Sequence, residues 1–151
     1  MMMNNHRLHQ LKNKKILFVG IGNLLKKDDG VGVYITNKLI KTQTIHPLSV
    51  EVSIENYIGK INRLNLDAVV LIDSMNFNRD VGFWDILPIE KINGFTTNTH
   101  NITLDKVAEF FRHKTYILGI QPQDVSFGEQ MSPAVQKAAD SIIHKVHSIL
   151  Q

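Results

Sequence analysis

The chain has 151 residues, 43% of them hydrophobic and 21% charged, with a formal net charge of +3 and no cysteine. A chain of this size buries roughly 70% of the surface it exposes when unfolded, enough for one domain with a real core. Without cysteine there are no disulfides, thiolate ligands or cysteine nucleophiles, so any metal falls to Asp, Glu, His or backbone oxygen.

Residues 1–14 read as a flexible basic N-terminal tail, with 15–151 as a single α/β domain. The tail lacks the apolar segment of a secretory signal, and no run approaches the roughly 20 residues of a membrane span. The expectation is a cytoplasmic protein with no membrane insertion. Much of the positive excess sits in Arg7, Lys12, Lys14 and Lys15. With no basic stripe interleaved with aromatics, nucleic acid is not an expected partner.

Lys15 to Gly20 reads as the first strand. It runs into Gly20-Ile21-Gly22-Asn23, then Asp28-Asp29-Gly30-Val31-Gly32, and a helical pattern over 31–41. A dinucleotide fingerprint needs a third glycine soon after Gly22, whereas Asn23 to Lys27 intervene; a P-loop needs Gly-Lys-Ser/Thr, which is missing. Two adjacent acids at a helix mouth serve as cap and as favourable charge on the helix dipole. One of them can cap while its neighbour is available for chemistry.

His46-Pro47 breaks the pattern, and the alternation of Ser49 to Ile54 predicts strand two. Asn56 to Leu64 fits a short helix. Asp67 to Asp73 is a strongly apolar run, predicted as a central parallel strand ending in Asp73. That carboxylate lies at the sheet edge where open α/β sheets bind ligands; its plainer role is a turn former before Ser74.

Val81 to Ile89 predicts a strand at or near an edge. Thr96 to His100 is a polar loop before a helix over 102–111, with His100 at its mouth, where a lone histidine is ordinarily capping or solvated. Thr115 to Ile120 is a further strand. Ser132-Pro133 marks a helix start, with Ser132 as N-cap, and 134–150 carries one apolar face. The alternation predicts an α/β fold: a three-layer α/β/α sandwich around a mostly parallel twisted sheet of about five strands. Asp29, Asp73 and His100 fall at one predicted edge, and two carboxylates with an imidazole can hold a divalent metal while leaving positions open.

Gly20 to Gly32 satisfies the pattern G-x-G-N-x-x-x-x-D-[DE]-G-x-G and resembles the hydrogenase maturation proteases, closest to the hydrogenase-3-type group. Tyr116 to Gln123, YILGIQPQ, resembles that family's G-I-Q-P segment, and Met131 to Val135 resembles the opening of its last helix. The resemblance implies that Asp29, Asp73 and His100 bind metal and carry catalysis, with Asp28 as a capping or supporting residue. It implies an endopeptidase that removes a C-terminal peptide from the nickel-loaded precursor of a [NiFe] hydrogenase large subunit. The nickel is presented by the substrate, and other divalent metals can substitute; the chain itself is expected to be a monomer. One departure is that Ser53 to Tyr57 lacks the family's Asp-Gly-Gly-like turn, although Glu55-Asn56 resembles a P-E-N segment of the closest group. The alternatives are a non-cleaving nickel checkpoint or assembly chaperone for the large subunit, and a nucleotide- or sugar-phosphate-binding α/β domain.

Overall fold

The two longest apolar runs become two paired interior strands of the sheet. The computed structural model describes residues 2–92, 96, 97 and 103–151. In chain order the elements are α1 (Met2–Gln10), β1 (Ile16–Ile21), a 3-10 turn (Lys27–Gly30) leading into α2 (Val31–Lys38), and β2 (Ile45–Glu51). A second 3-10 turn (Ile54–Tyr57) opens α3 (Ile58–Asn62). Then come β3 (Ala68–Asn76), β4 (Trp84–Pro88), a short β5 (Thr96–Thr97), α4 (Leu104–Ala108), β6 (Lys114–Ile120) and α5 (Pro133–Leu150). The sheet order is β2-β1-β3-β6-β4. β2, β1, β3 and β6 are mutually parallel, and β4 closes the edge antiparallel to β6. β5 pairs antiparallel with the overhang of β3 at Met75 and Asn76.

The period-two pattern of β1 sorts its side chains between two cores. Ile16 and Phe18 pack with Leu8, Val31, Ile35, Ala139 and Ile142 under α1, α2 and α5. Leu17, Val19 and Ile21 pack with Ile61, Leu104 and Val107 under α3 and α4. The fold is therefore the expected α/β/α sandwich with a mostly parallel sheet. Helix α2 enters almost against the strands: a Cβ on Gly32 would collide with the carbonyl oxygens of Ile72 in β3 and Ile21 in β1. Only glycine permits that approach.

Several boundaries differ from expectation. Residues 2–10, expected as part of a flexible tail, form α1, and Leu8 and Leu11 are buried in the core beneath it. Two leucines three residues apart in an otherwise polar segment make too weak a stripe to read. β2 starts at Ile45 and carries Pro47 opposite Phe18, because an edge strand is paired on one side only. α2 stops at Lys38, where Leu39 turns extended and the Ile40 amide donates to Nε2 of His147 in α5 at 2.9 Å. β3 runs past Asp73 because β6 continues to pair with it as far as Ser74. Of the strand expected over 81–89, β4 covers Trp84–Pro88, at the sheet edge and antiparallel to β6. Of the helix expected over 102–111, α4 covers Leu104–Ala108. No described helix is long and apolar enough to cross a membrane.

Leu8→Ala tests whether the N-terminal helix belongs to the core. Truncating a fully buried leucine costs about 2–5 kcal/mol, so urea denaturation will show a midpoint shift of that order; wild-type stability would return the segment to a loose tail.

Candidate functional site

Chain direction creates a crevice before any side chain is considered. From β1 the chain passes through α2 to β2 on one side, then returns through α3 to β3 on the other side of β1. Such a reversal opens a cleft between the carboxyl ends of the two strands. Asp29 lies in the 3-10 turn after β1. Asp73 lies in β3, one residue past the last β1–β3 pair, Gly20 with Ile72.

Both aspartates are fully buried. Oδ2 of Asp29 accepts the Asn23 amide at 3.1 Å, and its Oδ1 accepts the Ser74 hydroxyl at 3.3 Å. Oδ1 of Asp73 accepts the Ser74 amide at 2.8 Å. Ser74 is thus bonded to both acids through two different groups. The third predicted member, His100, lies outside the described residues. Among the described residues no three His, Asp or Glu side chains cluster closely enough to hold a metal. Asp29 and Asp73 supply two hard oxygen donors, and a metal held there needs further ligands from elsewhere.

The glycines ahead of this pair serve packing. Gly22 has φ 135°, and a Cβ there would collide with the carbonyl oxygen of Asp29. The space that a phosphate would use beside such a glycine is filled by the chain's own backbone, which removes the motivation for a nucleotide-binding reading.

Asp28 takes the supporting role expected of it. Its Oδ1 accepts the Ser132 amide at 2.7 Å; its Oδ2 accepts the Ser132 hydroxyl at 2.7 Å and the amides of Gln123 and Asp124 at 2.9 and 3.1 Å. Ser132 is the N-cap of α5 as predicted, yet its hydroxyl makes no cap bond to its own helix. Lys27 is held in the left-handed region, at φ 50°. Its amide donates to Gly128 O at 2.8 Å, and its ammonium pairs with Asp124 at 2.8 Å. The Gly128 amide in turn donates to Leu25 O at 2.8 Å. The hydrogen bond from Lys27, followed by those from Ser126, holds the Asp124 carboxyl well below the usual carboxylate range.

A second brace is Gln121, which follows β6. Its Oε1 accepts the Phe77 amide at 2.6 Å, and its Nε2 donates to Asn76 Oδ1 at 3.2 Å. It thereby secures the chain just beyond Asp73. Sequence reasoning placed Gln121 and Ser132 in recognisable segments but gave no role to Ser74, Gln121 or Asp124. The available signal was that polar residues directly follow strand ends at the ligand-binding edge.

Two tests follow. Removing a charged acceptor that serves four donors will cost about 3 kcal/mol or more in Asp28→Ala, measured by urea denaturation. Asp28→Asn keeps an acceptor oxygen and will lose less; wild-type stability in both variants would contradict the bracing role. For Asp124, the depressed carboxyl contributes stability that is whole above the ordinary value of 3.8 and is lost as pH falls below it. Asp124→Asn will therefore flatten the acid side of the stability profile. The pair is partly exposed, so the effect fades with salt; an unchanged acid limb at low salt would contradict it.

No family model matches the chain. A protein of Methanocaldococcus jannaschii, provisionally named a hydrogenase maturation protease, is 26% identical over 164 residues, spanning 99% of this chain and 96% of that one. The crystal structure of the [NiFe] hydrogenase maturation protease HycI from Thermococcus kodakarensis superimposes with a TM-score of 0.82 at 27% identity, covering 95% of this chain and 98% of that one. The crystal structure of a hydrogenase 3 maturation protease, at 20% identity and a TM-score of 0.75 over 92% of this chain and 93% of that one, shares the fold. In sequence over nearly its whole length, and in fold, the chain is similar to the hydrogenase maturation proteases.

Proposed function

We propose that this chain is the endopeptidase that removes a C-terminal peptide from the nickel-loaded precursor of a [NiFe] hydrogenase large subunit. Asp29, Asp73 and His100 recognise the nickel in this reading. The observation that carries it is that Asp29 and Asp73, from separate segments, both accept hydrogen bonds from Ser74. Similarity to hydrogenase maturation proteases in sequence and fold supports the reaction class. The hydrogenase-3-type enzymes are the proposed substrate group, on the Glu55-Asn56 segment and the kinship with proteases of that kind.

The nickel belongs to the substrate, which already holds it through its own ligands. Carboxylate and imidazole suit such an ion. Both acids are buried in the free chain, so the ion reaches them only with displacement of their neighbours. That favours a metal delivered within a large partner over a free ion. A precursor without nickel lacks the anchor and is left uncut. Once anchored, the scissile peptide lies beside a carboxylate able to take a proton from water, and nickel next to the carbonyl polarises it. The amide C–N bond breaks, with hydroxyl passing to the carbonyl carbon and the proton to the leaving amine. No cysteine is present to act as nucleophile. The chain works as a monomer in the cytoplasm in this reading.

Purified protein mixed with nickel-loaded precursor will release a C-terminal peptide detectable by mass spectrometry, and nickel-free precursor will stay intact. Asp29→Asn, Asp73→Asn and His100→Ala will each abolish release. A stable complex with no loss of mass would instead establish the non-cleaving checkpoint, and wild-type cleavage by the variants would overturn the assignment of these residues.

A further inference from the structure

Six large hydrophobic side chains stand exposed among the described residues: Leu24, Leu25, Ile40, Val52, Phe110 and Phe127. Four of the six share one edge of the sheet. Leu24 and Leu25 follow β1, Val52 follows β2 and Phe127 follows β6. These three strands are parallel, so the loops after them all emerge at one sheet edge, the edge that carries Asp29 and Asp73. Phe110 precedes β6 and belongs to the opposite edge.

The two most exposed of the four at this edge are also fixed in place. Phe127 is 80% exposed and Leu25 is 57% exposed. Gly128, next to Phe127, donates its amide to Leu25 O, and its carbonyl accepts the Lys27 amide. The Asn23 amide, one residue before Leu24, is bonded to Asp29 itself. A solvated loop with no partner has no physical reason to hold leucines and a phenylalanine out of the core on a braced backbone. Exposed apolar groups on rigid backbone are what protein partners bury, because little conformational freedom is lost on contact.

We infer that Leu24, Leu25 and Phe127 form the apolar rim that grips the hydrogenase precursor around its nickel site, and so determine its affinity for this chain. This rests on the proposed reading of function, which names the precursor as the protein that must reach Asp29 and Asp73. The continuity is direct: the same loop that ends in Asp29 begins with Leu24 and Leu25, and the loop that bears Phe127 is the one bonded to Asp28. The rim excludes water around the charged contact, and burying its apolar side chains against the partner removes their surface from water, which favours association.

The test compares three surface substitutions in the full chain against nickel-loaded precursor, with Kd from titration and KM and kcat from peptide release. Leu25→Ser and Phe127→Ser will each raise Kd and KM by about tenfold or more, with kcat within about twofold of wild type. Phe110→Ser, equally apolar and exposed but at the far edge, will leave all three unchanged. Binding that weakens in a protein that does not cleave still upholds the rim through Kd. Wild-type Kd and KM in Leu25→Ser and Phe127→Ser, with the parent binding normally, would overturn the rim and leave the proposed function standing. So would an equal loss in Phe110→Ser. A parent that neither binds nor cleaves the precursor would overturn both.

Discussion

A single buried carboxylate, that of Asp28, ties the loops of this molecule together. It accepts four hydrogen bonds from three residues of the 121–132 segment. A carboxylate without those donors could not stay buried, and the donors without it would be stranded in turn. The bond set joins the turn after β1 to the start of α5, the two elements that flank α2. The neighbouring acid inherits its placement. In a 3-10 turn successive residues project about 120° apart. With Asp28 directed at Ser132, Asp29 is turned elsewhere, to Ser74. Two adjacent acids thus have distinct partners, Gln123, Asp124 and Ser132 for Asp28 and Asn23 and Ser74 for Asp29.

The sheet supplies the other half of the placement. The reversal between β1 and β3 makes the crevice, and Gly32 lets α2 lie against both strands so that the acid-bearing turn sits at its mouth. Gln121 fixes the chain beyond Asp73. Segments far apart in sequence, the D-D-G turn, the I-Q-P run and the S-P helix start, are therefore one bonded unit, which gives a physical reason for their appearing together.

Much of this was legible beforehand, and the gaps have causes. The strands β1, β3 and β6 are continuous apolar runs, and α5 has an unbroken stripe, so packing and local pattern agree there. The sites of Asp29 and Asp73 followed from strand ends and topology. Helix α1 was hidden because its core contacts are too few for a periodic signal. The start of β2 was hidden by a proline that edge strands tolerate. The roles of Ser74, Gln121 and Asp124 depend on hydrogen bonds across 45, 44 and 97 residues of chain, and no local window contains both partners. The full burial of the two acids was equally illegible, because exposure is a property of the packed whole.

What most needs measurement is whether these two acids meet the metal. Nickel X-ray absorption on the loaded precursor, alone and in complex with this chain, reads the atoms around the ion directly. Bound to the wild-type chain, the nickel will gain oxygen or nitrogen neighbours that are missing from complexes with Asp29→Asn or Asp73→Asn. A nickel environment identical in the free precursor and in a fully formed wild-type complex would contradict the assignment.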